Sequence, residues 1–255
     1  MTFSIVNFEF LLLIIVRITG FIFTAPFFSL KNVPFRVKTG FSIFLSLILF
    51  YSVPYSTPEY TGVIGFAALV IKEALAGAIM GYFANIVYHI IAFTGQMIDM
   101  EVGFSMVNEL DPVTSIQTTI TANFYGYLIL LMMFITNLHH YFLRAIIDSF
   151  QIIEIGKVNF NPNLYKLMIQ FIRDYFVIGF RIVLPIFAAI LVVNTILAIL
   201  SKIAPQMNMF VIGVQLKIFV GLIVLAMIME LIPSVADFIF NKMKEMLLNS
   251  IEMLR

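Results

Sequence analysis

GVIGFAALVIKEALAGAIMGYFANIVYHIIAFTGQMI, residues 62–98, decides the fold. Only Lys72 and Glu73 carry charge in it, it lacks the period-two alternation of a membrane strand, and its Gly and Ala residues are tolerated in helices. A helix rises about 1.5 Å per residue and needs ~20 residues to cross a bilayer, so this run is too long for one crossing. It is expected to fold as a hairpin, or as a helix that leaves the membrane, although no turn residue marks a bend. Further apolar runs occupy residues 10–30, 39–53, 124–155 with polar breaks, 175–200 and 209–232. The class is therefore all-α, with long apolar helices arranged as membrane-associated hairpins.

Composition agrees. Of 255 residues, 62% are hydrophobic and 11% charged, and the net charge of +1 excludes a strongly basic nucleic-acid binder. The expected partners are lipid and other apolar proteins, with no nucleic acid. The absence of Cys excludes disulfides, thiol catalysis and Cys-containing zinc sites. Arg17 interrupts the first apolar run where a signal peptide would have its apolar core, so no cleavage is expected. Lys31, Arg36 and Lys38, then Lys157 and Lys166, then Lys242 and Lys244 follow the first, fourth and last runs, which by the positive-inside tendency places those regions in the cytoplasm. Arg17, Lys72, Glu73, Arg181, Lys217 and Glu230 fall inside or at the edges of apolar runs. Either they pair within a polytopic bundle or the runs are buried against partner proteins rather than lipid.

Downstream of the deciding run lies an acidic, glycine-punctuated stretch, residues 95–112, which carries Asp99, Glu101, Glu109 and Asp111. The chain has no Lys or Arg between Lys72 and Arg144, so these carboxylates have no basic neighbour in sequence. Such a segment must face water, line a cavity or be covered by protein. Glu73, Gly77 and Gly81 recur one helical turn apart, which puts a carboxylate and two glycines on one face and allows close helix approach. Near the C-terminus, Ser234 and Asp237 resemble a capping box that opens an amphipathic helix with Val235, Phe238, Ile239, Met243, Met246, Leu247, Ile251 and Leu254 on one side. That helix suits the membrane interface or a partner's surface equally well.

Catalytic chemistry is not legible. His139 and His140 are adjacent and diverge by about 100° on a helix, His89 is isolated, and no metalloprotease, nucleophile-elbow or phosphate-loop motif occurs. No enzyme activity, metal or cofactor is expected. A rival from another class is a secondary transporter whose midplane site is built from Arg17, Lys72, Glu73 and Glu230.

Several patterns occur together in order: Arg17 with Pro26, Val33-Pro34 and Arg36; Glu73, Gly77 and Gly81; Gly95-Gln96 with Asp99 and Gly103; Asp111-Pro112; His139-His140 with Ser149-Phe150; Pro185; Pro205-Gln206-Met207-Asn208-Met209-Phe210; and Gly213 with Lys217. In this the chain resembles the FliR/SctT family of type III secretion export-gate proteins over nearly its whole length. The resemblance implies a structural subunit of the export gate in the bacterial inner membrane, within the flagellar basal body. Such a subunit is assembled once per gate with several copies of two smaller membrane proteins, FliP-like and FliQ-like, into a helical cone. It also implies further export-apparatus membrane partners and unfolded protein substrates. Residues 1–174 would form an N-terminal portion with a pore-facing loop near 99–123, and residues 175–255 a C-terminal hairpin with an amphipathic tail resembling the smallest gate subunit. Met106, Val107, Asn108, Glu109, Leu110, Asp111, Pro112 and Val113 would form the pore plug. Arg17, Glu73, Gly77, Gly81, Gln96, Asp99, Arg181, Pro205, Gln206, Asn208 and Lys217 would be interior or assembly residues. Asp111-Pro112 biases the backbone toward an extended or turn conformation, which suits a plug anchored at both ends.

Overall fold

The computed structural model describes residues 5–30, 33–53, 55, 58–106 and 119–255, without the side chains of 86–88 and 106. Among these residues all regular structure is helical: α1 (Ile5–Thr24), α2 (Phe35–Phe50), α3 (Gly62–Ala84), α4 (Ile86–Val102), α5 (Ile120–Ile135), α6 (Leu138–Ile152), α7 (Leu164–Ile203), α8 (Met209–Ile228) and α9 (Ile232–Glu252). Short 3-10 turns occupy Phe104–Met106 and Met229–Leu231. Among the described residues, four stretches (α1, α3, α7 and the continuous Met209–Glu252) are long and apolar enough to cross a membrane, or five if the bent pair α5 and α6 counts as one span. The all-α class read from the sequence is the observed one.

The deciding run is two helices, separated at Asn85. The Asn85 N–H bonds to the carbonyls of both Gly81 and Tyr82 at 3.0 Å, which tightens the last turn of α3 and ends it. Asn85 stands at φ −86 and ψ 3 rather than in the left-handed conformation for which Asn is favoured past a helix end, so no turn signal of that kind marks the break. One difference from the sequence reading is α7, which begins at Leu164 rather than near residue 175. Lys166 and Arg173, both exposed, interrupt the apolar run without interrupting the helix. Another is the C-terminal helix. The chain does not start afresh at Ser234, because a 3-10 turn and then α9 follow α8 directly. Pro233 therefore lies in the first turn, where its missing N–H costs no bond.

The chain forms two compact units. In the first, made of Met1–Val87, Met133–Ile172 and Phe240–Arg255, α1 is the central helix and α2 and α3 pack on it. Phe10, Leu13, Ile14, Ile18 and Phe21 of α1 have no exposed surface. The end of α9 is built into the same core: Met243, Met246, Leu247 and Leu254 are fully buried, and the N–H groups of Asn159 and Asn161 donate to the carbonyls of Leu254 and Met253. The apolar face assigned to membrane or partner is thus largely occupied by the chain's own core, although Phe238 remains exposed.

In the second unit, Tyr88–Met132 and Arg173–Ile239, α4 packs against α5, α7 and α8. Phe93 of α4 contacts the rings of Tyr175, Phe176 and Phe180 on α7, beside Gly179. Val102 presses on Gly221 of α8, where a Cβ would stand 2.7 Å from its methyl groups. A small apolar cavity in this unit is lined by Ile91, Tyr125, Ile129, Ile182, Ile228 and residues of α9.

Candidate functional site

In the first unit the site is a buried charge. Arg17 on α1 and Glu73 on α3 have no exposed surface, and they meet in a two-pronged contact, Nε to Oε2 at 2.5 Å and Nη2 to Oε1 at 3.0 Å. The remaining nitrogen, Nη1, donates to the Ile153 carbonyl at 3.0 Å and the Ser149 carbonyl at 3.5 Å, so the guanidinium caps the C-terminal end of α6. The Phe150 ring lies 4.4 Å from the guanidinium carbon. Glu73 Oε1 also accepts the Gly156 N–H at 2.8 Å. Three segments far apart in sequence are tied through two side chains whose polar atoms are met on all sides, which is what makes burying them affordable.

The helix spacing seen in the sequence explains how they reach each other. Gly77 and Gly81 lie one and two turns after Glu73 and face the α1 backbone at Arg17 and Phe21 so closely that neither position has room for a Cβ. Gly20 of α1 meets α3 in the same way, since a Cβ there would lie 2.5 Å from the Ala74 carbonyl oxygen. Thr24 donates across to the Ala78 carbonyl at 3.1 Å. Gly20 and Thr24 are themselves one turn apart, a small-residue pattern that could have flagged α1 as the partner of α3. Lys72, by contrast, is exposed.

In the second unit the site is the base of the acidic stretch. Asp99, 1% exposed near the end of α4, accepts the Thr121 N–H at 3.2 and 3.3 Å on its two carboxylate oxygens, and its Oδ1 also accepts the Thr121 hydroxyl. Thr121 stands in the first turn of α5, so the carboxylate sits on a helix N-terminus, where unpaired N–H groups and the helix dipole favour negative charge. Burial pushes the Asp99 carboxyl above its ordinary pKa, and the hydrogen bonds from Thr121 and Ile120 oppose that. Gly95, one turn earlier, lies against the Ala122 backbone with no space for a Cβ. Gly103, with φ +96, ends α4 in a conformation suited to glycine. Gly95, Asp99 and Gly103 therefore each have a geometric reason, whereas Gln96 is exposed. Met106 is the last residue before the undescribed stretch, and Val107, Asn108, Glu109, Leu110, Asp111, Pro112 and Val113 lie outside the described residues.

The motif at Pro205-Gln206-Met207-Asn208 makes the turn between α7 and α8. The Met207 N–H bonds to the Ala204 carbonyl at 3.1 Å, with Pro205 at the second turn position, and the Asn208 side chain accepts the Val211 N–H at 3.4 Å as the N-cap of α8. Pro205, Gln206 and Asn208 are exposed, as is Arg181 on α7, while Lys217 on α8 is half-buried. Gly213 faces Leu197 of α7. His139 lies against Phe27, Phe134 and His140, whose ring is 4.1 Å away, so the two histidines stay closer than helix geometry led one to expect.

A family described as bacterial export proteins, family 1, matches residues 8–243. The chain belongs to that family. It is 33% identical over 233 residues to the flagellar biosynthetic protein FliR of Bacillus subtilis strain 168, covering 90% of each chain. With the protein of the same name from Escherichia coli strain K12 it shares 27% over 235 residues, 91% of this chain and 89% of that one. With that of Borreliella burgdorferi it shares 29% over 232 residues, 87% and 86% respectively. The family match spans the Arg17–Glu73 and Asp99–Thr121 contacts alike, so both belong to the part of this export protein that the family defines.

Proposed function

We propose that this chain is a pore-forming structural subunit of the flagellar type III protein export gate, which helps form and close a conduit for unfolded substrates across the bacterial inner membrane. The observation that carries this is the family match over residues 8–243 together with relatives named flagellar biosynthetic protein FliR. Its partners are two smaller membrane proteins, FliP-like and FliQ-like, in a hetero-oligomer, along with further export-apparatus proteins. Residues 175–255 play the part of the smallest gate subunit. The exposed Arg181, Gln206 and half-buried Lys217 are available to those partners, since polar groups on apolar helices gain most when another protein covers them. The chain itself performs no chemistry, and energy enters through other components.

Residues 106–113 are the closing element in this reading. By sequence, Met106, Leu110 and Val113 bring apolar side chains suited to a narrow channel, and Glu109 and Asp111 bring charges that favour water over lipid. Deleting residues 109–113 should make the assembled gate leak ions while leaving its subunit composition intact; a gate that stays equally tight rejects the plug. The transporter alternative finds little support. Arg17 and Glu73 satisfy each other in full burial, and Lys72 and Glu230 are both exposed, so Arg17 and Glu73 offer no free polar atom to a solute.

A further inference from the structure

For a helix in water, α2 is built inside out. It packs on α1 with Ser42, Ser46 and Leu49 buried, and it turns Ile43, Phe44, Leu47 and Ile48 outward, each about half exposed. The hydroxyls of Thr39, Ser42 and Ser46 all donate to carbonyls of α2 itself, so none needs a neighbour. The outward face holds apolar bulk and one exposed charge, Arg36. Arg36, Gly40, Phe44 and Ile48 follow one another at one-turn spacing and form a single line along the helix. A Cβ at Gly40 would meet nothing within 4 Å, which leaves an open notch between the cation and Phe44. Lys38 stands in the same first turn, its ammonium 5.8 Å from the centre of the Phe23 ring on α1. Two cations there work against the helix dipole, and that turn holds no acidic residue. Between Glu9 and Glu59 the sequence has no carboxylate, and among the described residues neither cation forms an ion pair.

We propose that the outer face of α2 seats an anionic phospholipid, its phosphate on Arg36 with Lys38 adding to the positive field, and an acyl chain lying over Gly40 toward Phe44 and Ile48. The site does not depend on how the chain takes part in export. A helix of a partner protein fits this face less well. Where this chain brings helices together it uses small residues: Gly20, Gly77 and Gly81 between α1 and α3, and Ser42 and Ser46 beneath α2. The outer face of α2 offers one glycine among Ile43, Phe44, Leu47 and Ile48, bulk that lipid tails cover without a matched surface. Past the other end of α2, Tyr51 and Tyr55 are exposed, as aromatic residues are at headgroup level. The positive-inside tendency puts Arg36 and Lys38 on the cytoplasmic side, whose leaflet is the anionic one.

The test uses the chain purified from its own membrane with the proteins it retains. Native mass spectrometry counts bound lipid as phosphatidylglycerol is added, with zwitterionic phosphatidylcholine and inorganic phosphate as comparison probes. The unsubstituted chain should hold phosphatidylglycerol in preference to phosphatidylcholine, and inorganic phosphate, which has no acyl chain, should not compete. Each cation near an anionic headgroup corresponds to about a five-fold change in binding. Arg36→Gln should therefore weaken phosphatidylglycerol about five-fold, and Arg36→Gln with Lys38→Gln about 30-fold. Neither replacement removes an ion pair, so Tm in lipid-free detergent should not fall. Added phosphatidylglycerol should raise the Tm of the unsubstituted chain and leave that of the double variant unchanged. Equal retention of the two lipids, competition by inorganic phosphate, or undiminished phosphatidylglycerol on the double variant overturns the site. Loss of a partner protein from the double variant, with lipid retention unchanged, overturns it too and gives the face to protein. The same spectra report subunit composition, so failure of the lipid site and failure of the export-gate reading are seen separately.

Discussion

Replacing Glu73 with Gln should unfold the first unit well below the temperature at which the unsubstituted chain unfolds. The two side chains are nearly the same size, so no cavity forms and the loss is electrostatic. In the structure the fully buried Glu73 accepts two buried bonds from Arg17 and one from the partly buried Gly156 N–H. Gln offers a single oxygen for those three donors and turns its own NH2 toward either the guanidinium or the amide. Arg17 would keep its charge, supported only by the carbonyls of Ile153 and Ser149 and the face of Phe150. Breaking one side of a buried pair costs ~3–5 kcal/mol. At roughly 2–4 °C per kcal/mol for a chain of this size, Tm should fall by about 6–20 °C. The assay is thermal unfolding of the detergent-purified assembly, followed by size exclusion to score what remains folded. The double replacement Arg17→Met with Glu73→Leu removes both charges and should recover part of the loss. It should not recover all of it, because the Gly156 N–H and Ile153 carbonyl are left unpaired at ~1–3 kcal/mol each. A Glu73→Gln chain within about 1 kcal/mol of the original, or a double replacement worse than either single one, would refute the reasoning.

Glycine replacements should divide by site: Gly77→Ala forces a methyl into the Arg17 backbone and should cost at least ~1–3 kcal/mol in Tm measurements, while Gly40→Ala in α2, with no atom within 4 Å, should stabilise by ~0.5–1 kcal/mol. Met246→Ala, at a fully buried position of α9, should cost ~2–5 kcal/mol, whereas Leu248→Ala on its exposed face should leave Tm nearly unchanged. Asn208→Ala should cost ~1 kcal/mol through loss of the α8 cap, and the exposed Gln206→Ala should change stability by less than ~0.5 kcal/mol while lowering the amount of partner protein that co-purifies.

Periodicity and small-residue spacing carried most of what was legible. Glu73, Gly77 and Gly81 were readable as one face because they obey a single helix's repeat, and α1 does pack on that face. What the face would bury was not readable, since Arg17 lies 56 residues away and its other acceptors are carbonyls, which sequence does not distinguish. Of the acidic stretch, expected in water, a cavity or protein cover, Asp99 takes the last of these; its partner Thr121 is an ordinary residue whose role exists only once α4 and α5 touch. Hydropathy misplaced the start of α7 because exposed Lys166 and Arg173 depress the average without disturbing the backbone. The place of the break at Asn85 went unread because an Asn inside a long apolar run is weak punctuation until the helix geometry around it is known. Ser234 looked like a cap because capping residues also occur inside first turns, here behind Pro233.

The most direct test of the central claim is the mass of the complex that this chain forms when it is drawn from its own membrane in mild detergent. One copy of the chain bound to several copies each of two smaller membrane proteins is the predicted result. A monodisperse species of this chain alone, unchanged when those proteins are supplied, would contradict it.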